Sequence, residues 1–261
     1  KKDSTKTKTV PLTNFKKKDT LKSKPDNLLA NKNSKSIVTY RIYSDGRIEK
    51  YIPKVILKEN ENKYKYVYYD EQGKKYDLGD FRIQKTQMYK RPKGNFINLI
   101  NLEEVPKYYK KNNHQYHFNI DSPRSYVNEK SFASFIGAMF EVNYLDIGCN
   151  GFSHSDGSSK PSKSHINGNN GDFKYLRKDK SLKCGSGTSL NIIKQPDSLD
   201  SERQNKWLNA LYKFGWKNFL GWSYKLKGKK QYLDHIPKNT ANHFHHVHVQ
   251  RYQPNFKEIR E

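Results

Sequence analysis

Apolar and polar residues alternate along Ile37-Val38-Thr39-Tyr40-Arg41-Ile42-Tyr43, the period-two pattern of a half-buried strand. Asp45-Gly46 then offers a two-residue turn, and the alternation resumes from Ile48 to Leu57. Tyr64 to Tyr69 and Lys75 to Ile83 repeat the pattern around a second turn at Gln72-Gly73. Together these runs predict a small antiparallel β module over 36–92. The segment before them behaves differently. Residues 1–35 hold eleven Lys, three Asp and no sustained apolar period, and read as a basic flexible tail or linker.

Pro92, Pro106 and several Asn then mark a loop-rich connection. From Asn128 to Asn143, Phe132, Phe135, Ile136, Met139 and Phe140 trace one helical face, which predicts an amphipathic helix. Tyr144 to Gly148 reads as a short buried strand. Cys149 to Asn170 carries no apolar period, and so long a run inside a compact domain is read as a functional or a disordered loop. A second helix is predicted where Asp200 or Ser201 can cap it, Trp207, Leu208, Leu211 and Phe214 form its stripe, and Gly215 can end it. Phe219 to Leu226 and His246 to Tyr252 read as strands. Strands followed by helices interleaved with further strands predict an α+β protein. Its expected layout is the N-terminal module plus a mixed domain at 93–261, core about 120–261, with a central antiparallel sheet flanked by helices.

Composition then narrows the classes of function. Hydrophobic residues are only 33% of the chain, yet 13% aromatic content argues against disorder throughout. Fifty Lys and Arg against 26 Asp and Glu give a formal charge of +24, which favours polyanionic surroundings: nucleic acid, acidic lipid headgroups or an anionic cell wall. Charge does not choose among them. No run of 18 apolar residues exists, so no membrane span is expected. No signal-peptide core is visible and there is no initiating Met, so a processed product or a piece of a longer chain is expected. Cys149 and Cys184 are too few for a disulfide framework, which leaves either one bridge or two free buried thiols.

Four of the nine histidines lie within six residues, at His243, His245, His246 and His248. Imidazole is both the commonest zinc ligand and the usual proton carrier near neutral pH, so the cluster points to metal chemistry. A hydrolytic zinc site needs three protein ligands, an open position for water and a base nearby. His248 is the most natural ligand here, with His246 and His243 as neighbours. Within His246-Val247-His248 a regular strand is expected to point the two imidazoles to opposite faces, so both serve one site only if a bend or an edge position intervenes or if His246 approaches from behind the ligands. His165 and Asp172 supply the other two ligands, because Gly168 and Gly171 let the backbone between them fold tightly. Two imidazoles and one carboxylate favour zinc over magnesium or calcium.

His165-x-x-Gly168-x-x-x-Asp172, preceded by Ser164, together with His243-x-x-His246-x-His248, resembles the zinc metallopeptidases that share the fold of D-alanyl-D-alanine carboxypeptidases, the penicillin-insensitive murein endopeptidases above all. The resemblance covers about 120–261. It implies zinc on His165, Asp172 and His248, with His246 and His243 as catalytic histidines beside the bound water. It implies hydrolysis of an amide in peptidoglycan stem peptides or crosslinks, the D-Ala to diaminopimelate bond being the first expectation. His246 would be the general base, while His243 would steady the oxyanion or fix the His246 ring. Ser164, Arg124 and Lys160 are weaker candidates for gripping a substrate carboxylate. One departure is Asn169-Asn170-Gly171, more polar before the Asp than the family pattern. The run Tyr40 to Lys50 with Lys63 to Asp70 resembles β modules of secreted or injected effectors of Bacteroidetes. That resemblance implies an antibacterial effector acting in the periplasm or cell wall, for which an immunity protein and a secretion-system component are candidate partners. The peptidase reading itself implies a peptidoglycan substrate and no nucleic acid.

Two other classes compete. Leu233-Asp234-His235-Ile236-Pro237, followed by Asn242 and His246, imitates the opening of an HNH nuclease motif, and a basic chain suits DNA. Its spacing is too short for the hairpin and helix such a site needs. A non-catalytic wall-binding protein would leave the histidines incidental.

Overall fold

A computed structural model describes residues 36–261, so the tail expected over 1–35 lies outside the described residues. Four strands come first: β1 (Thr39–Tyr43), β2 (Arg47–Ile52), β3 (Lys63–Tyr69) and β4 (Lys75–Arg82). Both expected turns are present, with positive φ at Gly46 and Gly73. Next come β5 (Gln84–Gln87), β6 (Phe96–Asn101), β7 (Tyr108–Lys111), β8 (His114–Ile120) and β9 (Tyr126–Asn128). Helix α1 (Glu129–Val142) leads to β10 (Ile147–Gly151) and β11 (Gly171–Lys174), and α2 (Ser201–Lys213) to β12 (Trp216–Leu220). The order closes with β13 (Tyr224–Leu226), β14 (Lys229–Gln231), β15 (His246–Tyr252) and β16 (Asn255–Arg260). Strands far outweigh the two α-helices among the described residues, consistent with the α+β class.

The N-terminal strands do not form a separate antiparallel module. Their sheet runs β16-β2-β1-β3-β4, and β1 pairs with β3 in parallel, as does β16 with β2. The edge strand thus comes from the far end of the sequence. Residues 36–261 belong to one compact unit with one continuous apolar core, so the expected boundary at residue 92 separates no two cores.

The second large sheet runs β12-β15-β11-β10-β8-β7, antiparallel in every pairing except β10 with β8. It begins at β7, well before the expected start of the core near residue 120. The strands β6 to β9 occupy the stretch whose prolines and asparagines predict a loop-rich connection. Their signal is present in the alternation of Tyr116, Phe118 and Ile120, all buried, but Pro92, Pro106 and the Asn residues mask it.

Helix α1 lies between the two sheets. Its Phe132 meets Tyr66 edge-on at 4.9 Å and its Phe140 stacks on Tyr68 at 4.6 Å, while Phe135 packs on Phe118 and Phe173 of the other sheet. A helix covered on both sides must be apolar nearly all round, and ten of its residues from Ser131 to Phe140 are buried. This is broader than the single apolar face expected. Asn128 caps it by accepting from the Lys130 amide, and Asn143 ends it in the left-handed conformation. Asp200 caps α2 in the same way through the Arg203 amide. At the start of α1 a buried ion pair joins sheet to helix: Lys50 Nζ lies 2.8 Å from Glu129 Oε1, and Asn98 Nδ2 donates to Glu129 Oε2.

The cysteines match neither expectation. Both are free thiols, Cys149 buried on β10 and Cys184 exposed.

Candidate metal centre

Asp172 on β11 and His248 on β15 are register partners in an antiparallel pair. Directly opposed residues share a sheet face with Cβ atoms about 5 Å apart, so the register alone brings carboxylate and imidazole together. His246 lies on that same face, because residues two apart on a strand point the same way. The expected bend or edge position is therefore unnecessary, and β15 is an interior strand with Val247 and Val249 turned into the core.

His165 arrives on the long run that follows β10. That run is ordered by hydrogen bonds: the Phe152 amide donates to Arg124 O at 2.7 Å, Ser153 and Tyr126 exchange a bond in each direction, and the Asn167 amide donates to Gly157 O. Gly168 has φ +68°, and a Cβ there would sit 2.6 Å from the Asn128 nitrogen and 2.9 Å from Tyr126 O. No other residue fits that turn without displacing β9. A Cβ on Gly171 would strike the Phe152 ring. The polar pair before the Asp has a use in this setting. Asn170 Nδ2 donates to Ser164 O at 2.7 Å, and Asn169 O accepts from the Trp216 indole at 3.0 Å, which ties the ligand loop at both ends.

Three ligand atoms converge as a result. His165 Nε2 lies 2.9 Å from His248 Nδ1 and 3.1 Å from Asp172 Oδ1, and His248 Nδ1 lies 2.8 Å from that same oxygen. Among the described residues these three form a group placed to hold a metal ion. A tetrahedral zinc with bonds of about 2.0–2.2 Å sets its ligand atoms about 3.3–3.6 Å apart, so the triangle must open by roughly half an ångström to accept one. The remaining ring nitrogens are spoken for: His165 Nδ1 lies 3.1 Å from Phe152 O, and His248 Nε2 lies 3.0 Å from Ser164 Oγ. Such outer partners fix the tautomer and aim the other lone pair inward. Arg124 Nη1 also approaches His165 Nδ1, at 2.9 Å, and would prefer a lone pair there. With Nε2 turned to a cation, the form with hydrogen on Nδ1, donating to Phe152 O, is the one that fits.

Electrostatics agree with a cation site. Burial pushes the Asp172 carboxyl up, but hydrogen bonds to His165 and His248 outweigh it and hold it far below the usual carboxylate range. Burial lowers His165 and His243, and brings His246 down to about 4. All three are neutral at pH 7.

The site opens on a cleft of about 540 Å³, lined by His243, His246 and His248 together with Arg124, Lys163 and Asn242. His246 Nε2 is 3.6 Å from Asp172 Oδ1, and its ring centre is 4.8 Å from that of His243. His243 Nδ1 donates to Ala241 O at 2.7 Å, which leaves its Nε2 a bare acceptor. His245 also lines the cleft, with its Nδ1 buried and unpaired among the described residues.

The substrate candidates fare unequally. Ser164 is engaged with His248, and Arg124 spends its guanidinium on Asn150 O at 3.1 Å and on Asp172 Oδ2 at 3.5 Å, although both residues border the cleft. Lys160 does not line it but borders a neighbouring pocket, and Lys163, which the motif reading passed over, lines both. The nuclease-like residues do not converge. Asp234 accepts from Asn209 Nδ2, and His235 stacks on Tyr212 at 4.2 Å, which fastens both to α2, whereas Asn242 and His246 line the cleft. Compared with known proteins, the chain matches no family model, no curated protein and no solved structure.

Proposed function

We propose that this protein is a zinc-dependent peptidase that hydrolyses an amide of peptidoglycan stem peptides or crosslinks, with D-Ala to diaminopimelate the first bond to test. The observation that carries the reading is the convergence of His165 Nε2, His248 Nδ1 and Asp172 Oδ1 within 3.1 Å of one another at a cleft bordered by three further histidines, His243, His245 and His246. The fit of the donor set comes from its chemistry: two aimed imidazoles and one carboxylate are borderline ligands that suit zinc. When bound, zinc would supply Lewis acidity at the scissile carbonyl and an acidified water.

The chain's own groups do the rest. His246, neutral and facing the cleft, takes the proton released as water attacks. His243 holds its ring by the Ala241 carbonyl, so its Nε2 is a second proton acceptor and could donate to an oxyanion only after protonation. This weakens the expected oxyanion role for neutral His243. Arg124 and Lys163 give the cleft positive charge for a substrate bearing carboxylates. A cell-wall substrate places the activity in the periplasm or outside the cell, in keeping with an antibacterial effector.

The test is digestion of crosslinked muropeptides, read by mass spectrometry. Defined stem-peptide products are expected, lost on chelation, restored by zinc, and reduced about 100- to 10,000-fold in His246→Ala. Activity that survives chelation, or survives in both His165→Ala and His248→Ala, overturns the assignment.

A further inference from the structure

The segment that walls one side of the metal cleft walls a second cavity as well. Pro161, Ser162 and Lys163 border the cleft, and the same three residues border an adjoining pocket of about 660 Å³. Tyr89 and Ile166 give that pocket an aromatic and aliphatic lining, and its charged residues are Lys90, Lys160 and Lys163, with no carboxylate among them. Lys90 already leans on the Tyr89 ring, 5.6 Å from its centroid.

The pocket is built onto the metal-binding loop. The Tyr89 amide donates to Asn167 Oδ1 at 2.8 Å and Asn167 Nδ2 returns a bond to Tyr89 O, a two-point clasp. Asn167 sits between His165 and Asp172 in sequence, so the clasp fixes Tyr89 relative to both. On the shared wall, buried Ser159 donates to Ser162 O at 2.8 Å, and the Ser162 hydroxyl accepts from the Ser164 amide, one residue from His165. A group held in the pocket is therefore held at a set distance from the metal ligands. Preorganisation of that kind is what positions a substrate for reaction.

We infer that this pocket is a specificity subsite for an apolar substrate arm that ends in a carboxylate, seated on Tyr89 and Ile166 and held by Lys90, Lys160 and Lys163. The inference rests on the peptidase reading of the neighbouring cleft. An acidic peptide meets both chemistries of the lining: the apolar surface takes its methylenes and the lysines take its charge. A neutral sugar would use the Tyr89 ring and leave three cations without partners.

The experiment uses two muropeptide-derived peptides identical except that one carries a side-chain carboxylate where the other carries the carboxamide. Binding to His165→Ala protein is measured by calorimetry, and cleavage by wild-type protein in parallel. The carboxylate form is expected to bind about 10-fold tighter at low salt, the sum of a few partly exposed ion pairs, and to lose that margin in high salt. Replacing Lys90, Lys160 and Lys163 together by Ala brings the ratio toward one, and Lys163→Glu reverses it. Equal binding of the two peptides, or a ratio that survives the triple replacement, overturns the subsite. Absence of cleavage alongside a retained charge preference would instead overturn the peptidase reading and leave the subsite standing.

Discussion

Burial, more than neighbouring charge, governs the imidazoles of His165, His243 and His246. Desolvation lowers His165 and His243 and carries His246 from its ordinary 6.5 to about 4, so each offers a lone pair at neutral pH. The unfolded chain has no such burial and binds more protons over that interval, which gives stability a positive slope with pH. A folded value below the unfolded one means a contribution complete above 6.5 and lost as pH falls toward about 4. In chelator-treated protein the urea midpoint is expected to decline across that window, and His246→Gln to flatten part of the decline. A midpoint constant from about pH 7 to about pH 4 would show that these rings are solvated. Asp172 acts in the same direction at lower pH, since its carboxyl is also held below its unfolded value.

At the scale of elements, α1 depends on one polar joint. Lys50 and Glu129 have side chains 10% exposed each, and the same carboxylate accepts from Asn98 Nδ2. Removing one member of a buried pair leaves the other charged and unpaired, at a cost of about 3–5 kcal/mol. Glu129→Ala is therefore expected to lower unfolding stability by that amount, with most of it recovered when Lys50→Met is added. A single variant as stable as wild type would show the pair to be solvated. How far these elements can be read from sequence depends on what specifies each. The helices were legible in their spans, and for the second in its Asp200 cap, because apolar period and capping are both local. The strand β15 was legible to its ends because alternation is local too. The parallel pairings of β1 with β3 and β2 with β16 were not, because pairing partners distant in sequence leave no mark in either strand's own pattern. The grouping of His165, Asp172 and His248 was legible through motif order and two glycines, and the structure brings those three side chains together. Lys163 and the Asn167 clasp escaped because a single polar residue in a Gly, Ser and Asn-rich run carries no period.

For the molecule as a whole, the excess of cations bears on the proposed subsite. A formal charge of +24 favours polyanions whatever the chemistry of the site, so a charge preference counts for the subsite only if it is lost when Lys90, Lys160 and Lys163 are replaced. The placement of β16 has a separate consequence. Strand β15, which carries His246 and His248, ends at Tyr252 and continues almost at once into β16, which lies parallel against β2 along its full length. The histidine-bearing strand is interior to one sheet and runs on through a two-residue link into the edge of the other, so the backbone itself ties the His165, Asp172 and His248 cluster to the first sheet. Fraying of the β2–β16 pairing would slacken the link just beyond Tyr252, at the end of the strand that carries His248.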